Sequence, residues 1–132
     1  MTGTGAAAPA PQATVFFCHG SRDPHWREPF ELLAEDYRRR FPEQLVSLAF
    51  LELMSPTLPQ VLADLAGRGA ATVRVVPLFL APGAHTRRDL PALVAQARQE
   101  WPALRVEVAP TLLEIDAVRA AVAAAVQLSG PL

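Results

Sequence analysis

Apolar residues recur along the chain in two alternating rhythms. Thr14–Cys18 (TVFFC) is a short apolar run closed by Gly20, and Leu45–Leu51 (LVSLAFL) is a second. Thr72–Val76 (TVRVV) and Leu104–Ala109 (LRVEVA) follow with partial alternation. Near-continuous apolar runs of this length suit strands covered on both faces of a parallel sheet, so the first two are placed inside the sheet. The last two alternate more and are placed nearer an edge.

The segments between these runs carry the wider spacing of amphipathic helices. Phe30, Leu33, Tyr37 and Phe41 mark a helix over Glu28–Phe41, with Pro29 in its first turn and His25 and Trp26 left in the loop before it. Leu58, Val61, Leu62 and Leu65 mark a second, opened by Thr57 or Pro59 and closed by Gly67 or Gly69. Leu90, Leu93, Val94 and Ala97 mark a third, with Asp89 and Pro91 near its start. A fourth, alanine-rich helix is expected from about Glu114 to Val126. The order βαβαβαβα predicts an α/β fold: a three-layer sandwich with a four-stranded parallel sheet flanked by helices and right-handed crossovers.

Length and composition narrow the reading. At 132 residues the chain fits one domain, placed at 13–128, after a flexible tail over 1–12 built from Ala, Gly, Thr and Pro. Leu128–Leu132 is read as frayed. The net charge is −1, from 12 basic and 13 acidic residues, which offers no electrostatic reason for nucleic acid or an anionic membrane as partner. No run approaches the roughly 20 apolar residues of a membrane span, and no signal peptide is evident. Cys18 is the only cysteine, so no internal disulfide forms, and a cytoplasmic address is expected.

In open α/β sheets, ligands bind outside the carboxyl ends of the strands. His19-Gly20-Ser21-Arg22 follows the first strand, Glu52 the second, the loop Pro77–Arg88 with His85 the third, and Pro110-Thr111 the fourth. Two imidazoles, a carboxylate, hydroxyls and guanidiniums thus converge on one rim. Gly20 is expected to turn sharply with positive φ, exposing His19 at the strand tip. Imidazole suits borderline divalent metals and proton transfer alike. Glu52 is read either as a half-buried, paired carboxylate or as one facing a site. Arg22, Arg87 and Arg88 match the geometry of substrate carboxylates, or else are solvated. His25 is read as a surface residue, Arg38–Arg40 as the basic last turn of the first helix, and Cys18 as a small buried apolar side chain. Two histidines fall short of a four-ligand structural zinc site and suit transient metal handling better. No phosphate loop or GxSxG elbow is present.

HGSRDP at His19–Pro24, LELMSPTLPQ at Leu51–Gln60 and VPLFLAPGAHTRRDLP at Val76–Pro91 resemble the short CbiX-type chelatases. These are class II enzymes related to sirohydrochlorin cobalto- and ferrochelatases and, more distantly, to protoporphyrin ferrochelatase. The resemblance covers about residues 14–127. It implies insertion of Co²⁺, Fe²⁺ or Ni²⁺ into sirohydrochlorin, in cobalamin or sirohaem biosynthesis. The metal is then a substrate, and no cofactor is permanently bound. It further implies His19 and His85 as the metal pair, Glu52 as the acidic residue beside them, and Ser21, Arg22, Gly83, Arg87 and Arg88 as contacts to the carboxylate-rich tetrapyrrole. Long members carry two such domains, so a single domain resembles the short form that works as a homodimer. The competing reading is a tetrapyrrole- or metal-binding carrier on the same fold without turnover.

Overall fold

Apolar residues dominate the first strand, and in the computed structural model, which describes residues 10–127, that strand lies inside the sheet. The elements are β1 (Gln12–Cys18), α1 (Glu28–Arg40), β2 (Leu45–Phe50), α2 (Leu58–Gly67), β3 (Thr72–Pro77), α3 (Ala84–Glu100), β4 (Arg105–Val108) and α4 (Asp116–Ala125). Short 3-10 turns at Pro24–Arg27 and Leu112–Glu114 precede α1 and α4. The four strands are parallel, in the order β2-β1-β3-β4. The α/β sandwich expected from the chain's rhythm is therefore the one observed.

Alternate residues of each strand face opposite layers. Val15, Phe17, Val73, Val75 and Val106 point to one side, where Leu58, Val61, Leu62 and Leu65 of α2 and Leu90, Val94 and Ala97 of α3 complete the main core. Phe16, Cys18 and Phe50 point to the other, where Phe30 and Tyr37 of α1 cover them. Thr14, the buried polar residue of that layer, hydrogen-bonds to the Tyr37 hydroxyl at 2.9 Å and donates to Gln44 at 3.0 Å.

Local signals explain several boundaries. Pro29 sits in the first turn of α1, which ends on Arg38, Arg39 and Arg40 beside its negative dipole end. Thr57 caps α2 in a reciprocal box with Gln60, and the chain leaves that helix through Gly69 at φ +80°.

Four expectations are corrected. The tail does not extend to Gln12, which pairs with Thr72 at the start of β1. Residues 1–9 of the tail and the terminal segment 128–132 lie outside the described residues. β2, not β3, is an edge strand. Helices lie over both faces of β2, so its residues read as apolar despite the edge. β3 alternates because Arg74 emerges on a part of the sheet face that α1 does not cover. Finally, α3 begins at Ala84 and carries Pro91 inside it. Proline there forgoes one hydrogen bond to the preceding turn, and the helix continues through it.

The last helix behaves unlike the others. α4 packs mainly on the 3-10 turn before it and buries none of its residues, leaving Val122 and, just past its end, Val126 exposed. No helix among the described residues is long and apolar enough to cross a membrane.

Candidate metal and macrocycle site

The site starts at the tip of β1. His19 follows Cys18, whose carbonyl accepts a hydrogen bond from Leu51 N at 2.8 Å. That bond extends the β1–β2 pairing one step beyond β2 and brings Glu52 alongside His19. The His19 Nδ1 lies 3.2 Å from Glu52 Oε1, with both side chains about half exposed. Of the two readings of Glu52, the pairing is the one observed, and its partner is the rim histidine.

Gly20 makes this approach possible, though not through positive φ as expected. Among the described glycines only Gly69 has positive φ. A Cβ on Gly20 would lie 1.6 Å from the Glu52 carbonyl oxygen. Glycine is required because one backbone passes directly over another.

Aromatic side chains hold His19 from two further directions. Its ring rests against Phe79, centroids 4.5 Å apart. Trp26 Nε1 donates to the His19 carbonyl at 2.7 Å. Beside them opens a cavity of about 420 Å³, lined by His19, Trp26, Phe30 and Phe79 and continued by Leu80 and Gly83. Its walls are largely apolar. Leu80 is 66% exposed, and Leu53, on the loop after β2, is 61% exposed.

His85 lies within the first turn of α3 rather than in an open loop. Its chain neighbours Ala84 and Thr86 line the same cavity as His19. The helix start therefore faces the strand tip across the rim. Gly83, at the N-cap of α3, also lines the cavity, and a Cβ there would meet open space.

The remaining expected residues are spread out. The Ser21 hydroxyl accepts from Asp23 N at 3.0 Å, shaping the turn after His19. Arg22 and Arg88 are exposed. Arg87 lines a separate groove between α3 and the Leu112–Glu114 turn, near Glu114. The Thr111 hydroxyl and amide hydrogen-bond the Glu114 carboxylate and hold its pKa below the usual range, with a smaller contribution from the Arg87 charge. His25 is exposed and pairs with Glu28 at 2.8 Å, as a surface histidine does. Cys18 is buried, and desolvation pushes its thiol up to about 12, which suits an inert packing residue. Trp26 and Phe79 were not singled out by the sequence. An indole before a helix carries no signature until the turn that aims it is known.

Among the described residues no group of three or more His, Cys, Asp or Glu side chains gathers within metal-binding reach. His19 and Glu52 are a pair of ligand-type side chains on the rim and not a closed cage. The CbiX family model matches residues 13–128.

The chain belongs to the CbiX family.

Curated relatives of this CbiX chain include the sirohydrochlorin cobaltochelatase of Methanococcus maripaludis, 39% identical over 63% of this chain and 58% of the relative. That of Methanocaldococcus jannaschii is 40% identical over the same shares. The match thus spans under two thirds of those relatives' length. Among solved structures, a protein described as a CbiX protein of cobalamin (vitamin B12) biosynthesis from Marinobacter aquaeolei superposes with TM-score 0.76. It is 31% identical, covering 88% of this chain and 94% of that one. The sirohydrochlorin chelatase SirB of Bacillus subtilis, solved in complex with cobalt, gives TM-score 0.68 at 29% identity, covering 76% of this chain and 43% of SirB.

Proposed function

We propose that this CbiX chain is a chelatase that inserts Co²⁺ or Fe²⁺, or Ni²⁺, into sirohydrochlorin. The carrying observation is His19, which lines an open, largely apolar cavity and lies 3.2 Å from the Glu52 carboxylate. The names of the relatives and the metal in the SirB complex support the same reading.

The chemistry follows from the pairing. With its Nδ1 proton directed at Glu52, the His19 imidazole keeps the Nε2 lone pair for the metal. His85, in the first turn of α3, is proposed as the second imidazole ligand. Two protein ligands leave positions free for pyrrole nitrogens. As M²⁺ enters the macrocycle, two N–H bonds break and two protons leave. Glu52, within hydrogen-bond reach of the imidazole, is the proposed acceptor of one proton, and the imidazole nitrogen vacated by the metal the proposed acceptor of the other. Arg22 and Arg88 are proposed to meet peripheral carboxylates, with Ser21 and Gly83 shaping the entrance. Arg87 has its own carboxylate neighbour in Glu114 and contributes to that end of the rim.

We further propose a homodimer acting in the cytoplasm, in cobalamin or sirohaem synthesis. The unpartnered apolar stripe of α4 supports a second copy, and one half-cleft leaves a flat macrocycle open to solvent on its other side. The deciding experiment mixes purified protein, sirohydrochlorin and Co²⁺ and follows the absorbance change against the protein-free rate. Acceleration is expected. Binding of both ligands without acceleration replaces the enzyme by a carrier.

A further inference from the structure

The position of Trp26 is not explained by packing. It lies on the 3-10 turn Pro24–Arg27, remains 41% exposed, and lines the His19 cavity. Its indole is nevertheless fixed. Nε1 donates to the His19 carbonyl at 2.7 Å, so its one polar atom is satisfied. The ring meets Phe30 with centroids 5.5 Å apart at 60°. A large aromatic surface is thereby oriented without being covered.

Exposed tryptophan is normally wasteful, because burying an indole is among the largest apolar gains a side chain offers. An indole held rigid at a cavity wall loses little further freedom when a flat ligand covers it. Its N–H is already engaged, so a ligand placed on the ring face disturbs no hydrogen bond. The bond goes to the peptide carbonyl of His19 itself. The indole is therefore tethered to the backbone of the residue that carries the imidazole.

We propose that Trp26 is a macrocycle-stacking residue, whose indole packs on the tetrapyrrole face and sets the ring plane relative to His19. This rests on the chelatase reading above and adds to it the wall that recognises the ring. His19 approaches the ring centre as a metal ligand; Trp26 holds an outer pyrrole. Leu80, exposed on the same cavity, extends the apolar surface.

The test titrates metal-free sirohydrochlorin into wild-type protein and into Trp26→Phe, Trp26→Leu and Trp26→Ala, following the tetrapyrrole absorption band. Co²⁺ alone is titrated in parallel by calorimetry. Trp26→Leu and Trp26→Ala are expected to raise the tetrapyrrole Kd about tenfold and to abolish the band shift, because ring stacking is lost. Trp26→Phe retains the shift and most of the affinity. Co²⁺ affinity stays within about threefold of wild type throughout, a difference under 1 kcal/mol. Trp101, at the far end of α3 and packed against the main core, supplies the control: Trp101→Phe leaves the band shift intact. Equal tetrapyrrole binding by wild type and Trp26→Leu overturns the stacking role alone. A parallel fall in Co²⁺ and tetrapyrrole affinity also overturns it, by making Trp26 a mere support for His19. If wild-type protein binds no sirohydrochlorin, the chelatase reading fails first and the stacking role falls with it.

Discussion

Gly20 and Glu52 touch backbone to backbone, so closely that a Cβ on Gly20 would sit 1.6 Å from the Glu52 carbonyl oxygen. The loops after β1 and β2 cannot separate without breaking this contact, nor can a larger residue enter without moving both. Gly20→Ala is expected to destabilise the fold by about 1–3 kcal/mol, the range for overpacking, because the obstructing atom is backbone. It should also pull His19 from Glu52 and lower Co²⁺ affinity. Urea denaturation and calorimetry read the two effects; a variant matching wild type in both removes the contact from the site's architecture.

Glu52 orients His19 in the proposed mechanism. Glu52→Gln keeps an acceptor for the imidazole N–H but loses the charge. A drop of about 10-fold in Co²⁺ affinity is expected, at the mild end for loss of an orienting carboxylate, and Glu52→Ala should approach about 100-fold. If Glu52→Ala binds Co²⁺ as wild type does, the pair is incidental.

His85→Ala is expected to lose both metal affinity and insertion rate, as is His19→Ala. His25→Ala should change neither, since His25 is exposed and paired with Glu28. A His85→Ala protein that keeps full rate removes α3 from the metal site.

The Cys18 thiol predicts an alkaline limit. Its pKa is raised from an ordinary 9.0 to about 12 by burial. A pKa higher in the folded state means that the stabilisation is complete below about pH 9 and declines as pH rises toward 12, where the unfolded chain loses the proton first. Cys18→Ala should flatten that decline. Urea midpoints measured across this range decide it: parallel curves for the two proteins exclude Cys18 as the cause.

For assembly, Val122→Asp on α4 is expected to shift the proposed dimer toward monomer in sedimentation equilibrium, because it places a charge in the exposed apolar stripe. Unaltered association would move the interface elsewhere.

Much of this was legible in the chain. The apolar run ending at Cys18 located His19, and the loop rule put Glu52 on the same rim. Pro29 marked the start of α1, and Thr57 or Pro59 with Gly67 or Gly69 bracketed α2, because their effects are local. The start of α3 was hidden, since Gly83 offers no capping side chain and Pro91 imitates a first-turn proline further on. Alternation in β3 reported a partly uncovered face rather than an edge, a distinction that depends on where α1 lies. Gly20 was recognised as necessary for the wrong reason: close approach of two distant backbones is tertiary information. Trp26 required the turn over Pro24–Arg27 to be seen before its N–H could be connected to His19.

β1 is hydrogen-bonded on both sides, to β2 from Ala13 to Cys18 and to β3 from Gln12 to Phe17. Its amides are therefore expected among the slowest to exchange with solvent, opening only when the whole domain does. His19 is fastened to that slowest segment, whereas α4 hangs from a single turn. Mild denaturant that frays α4 should leave the His19–Glu52 pair of the proposed site intact until the sheet itself gives way.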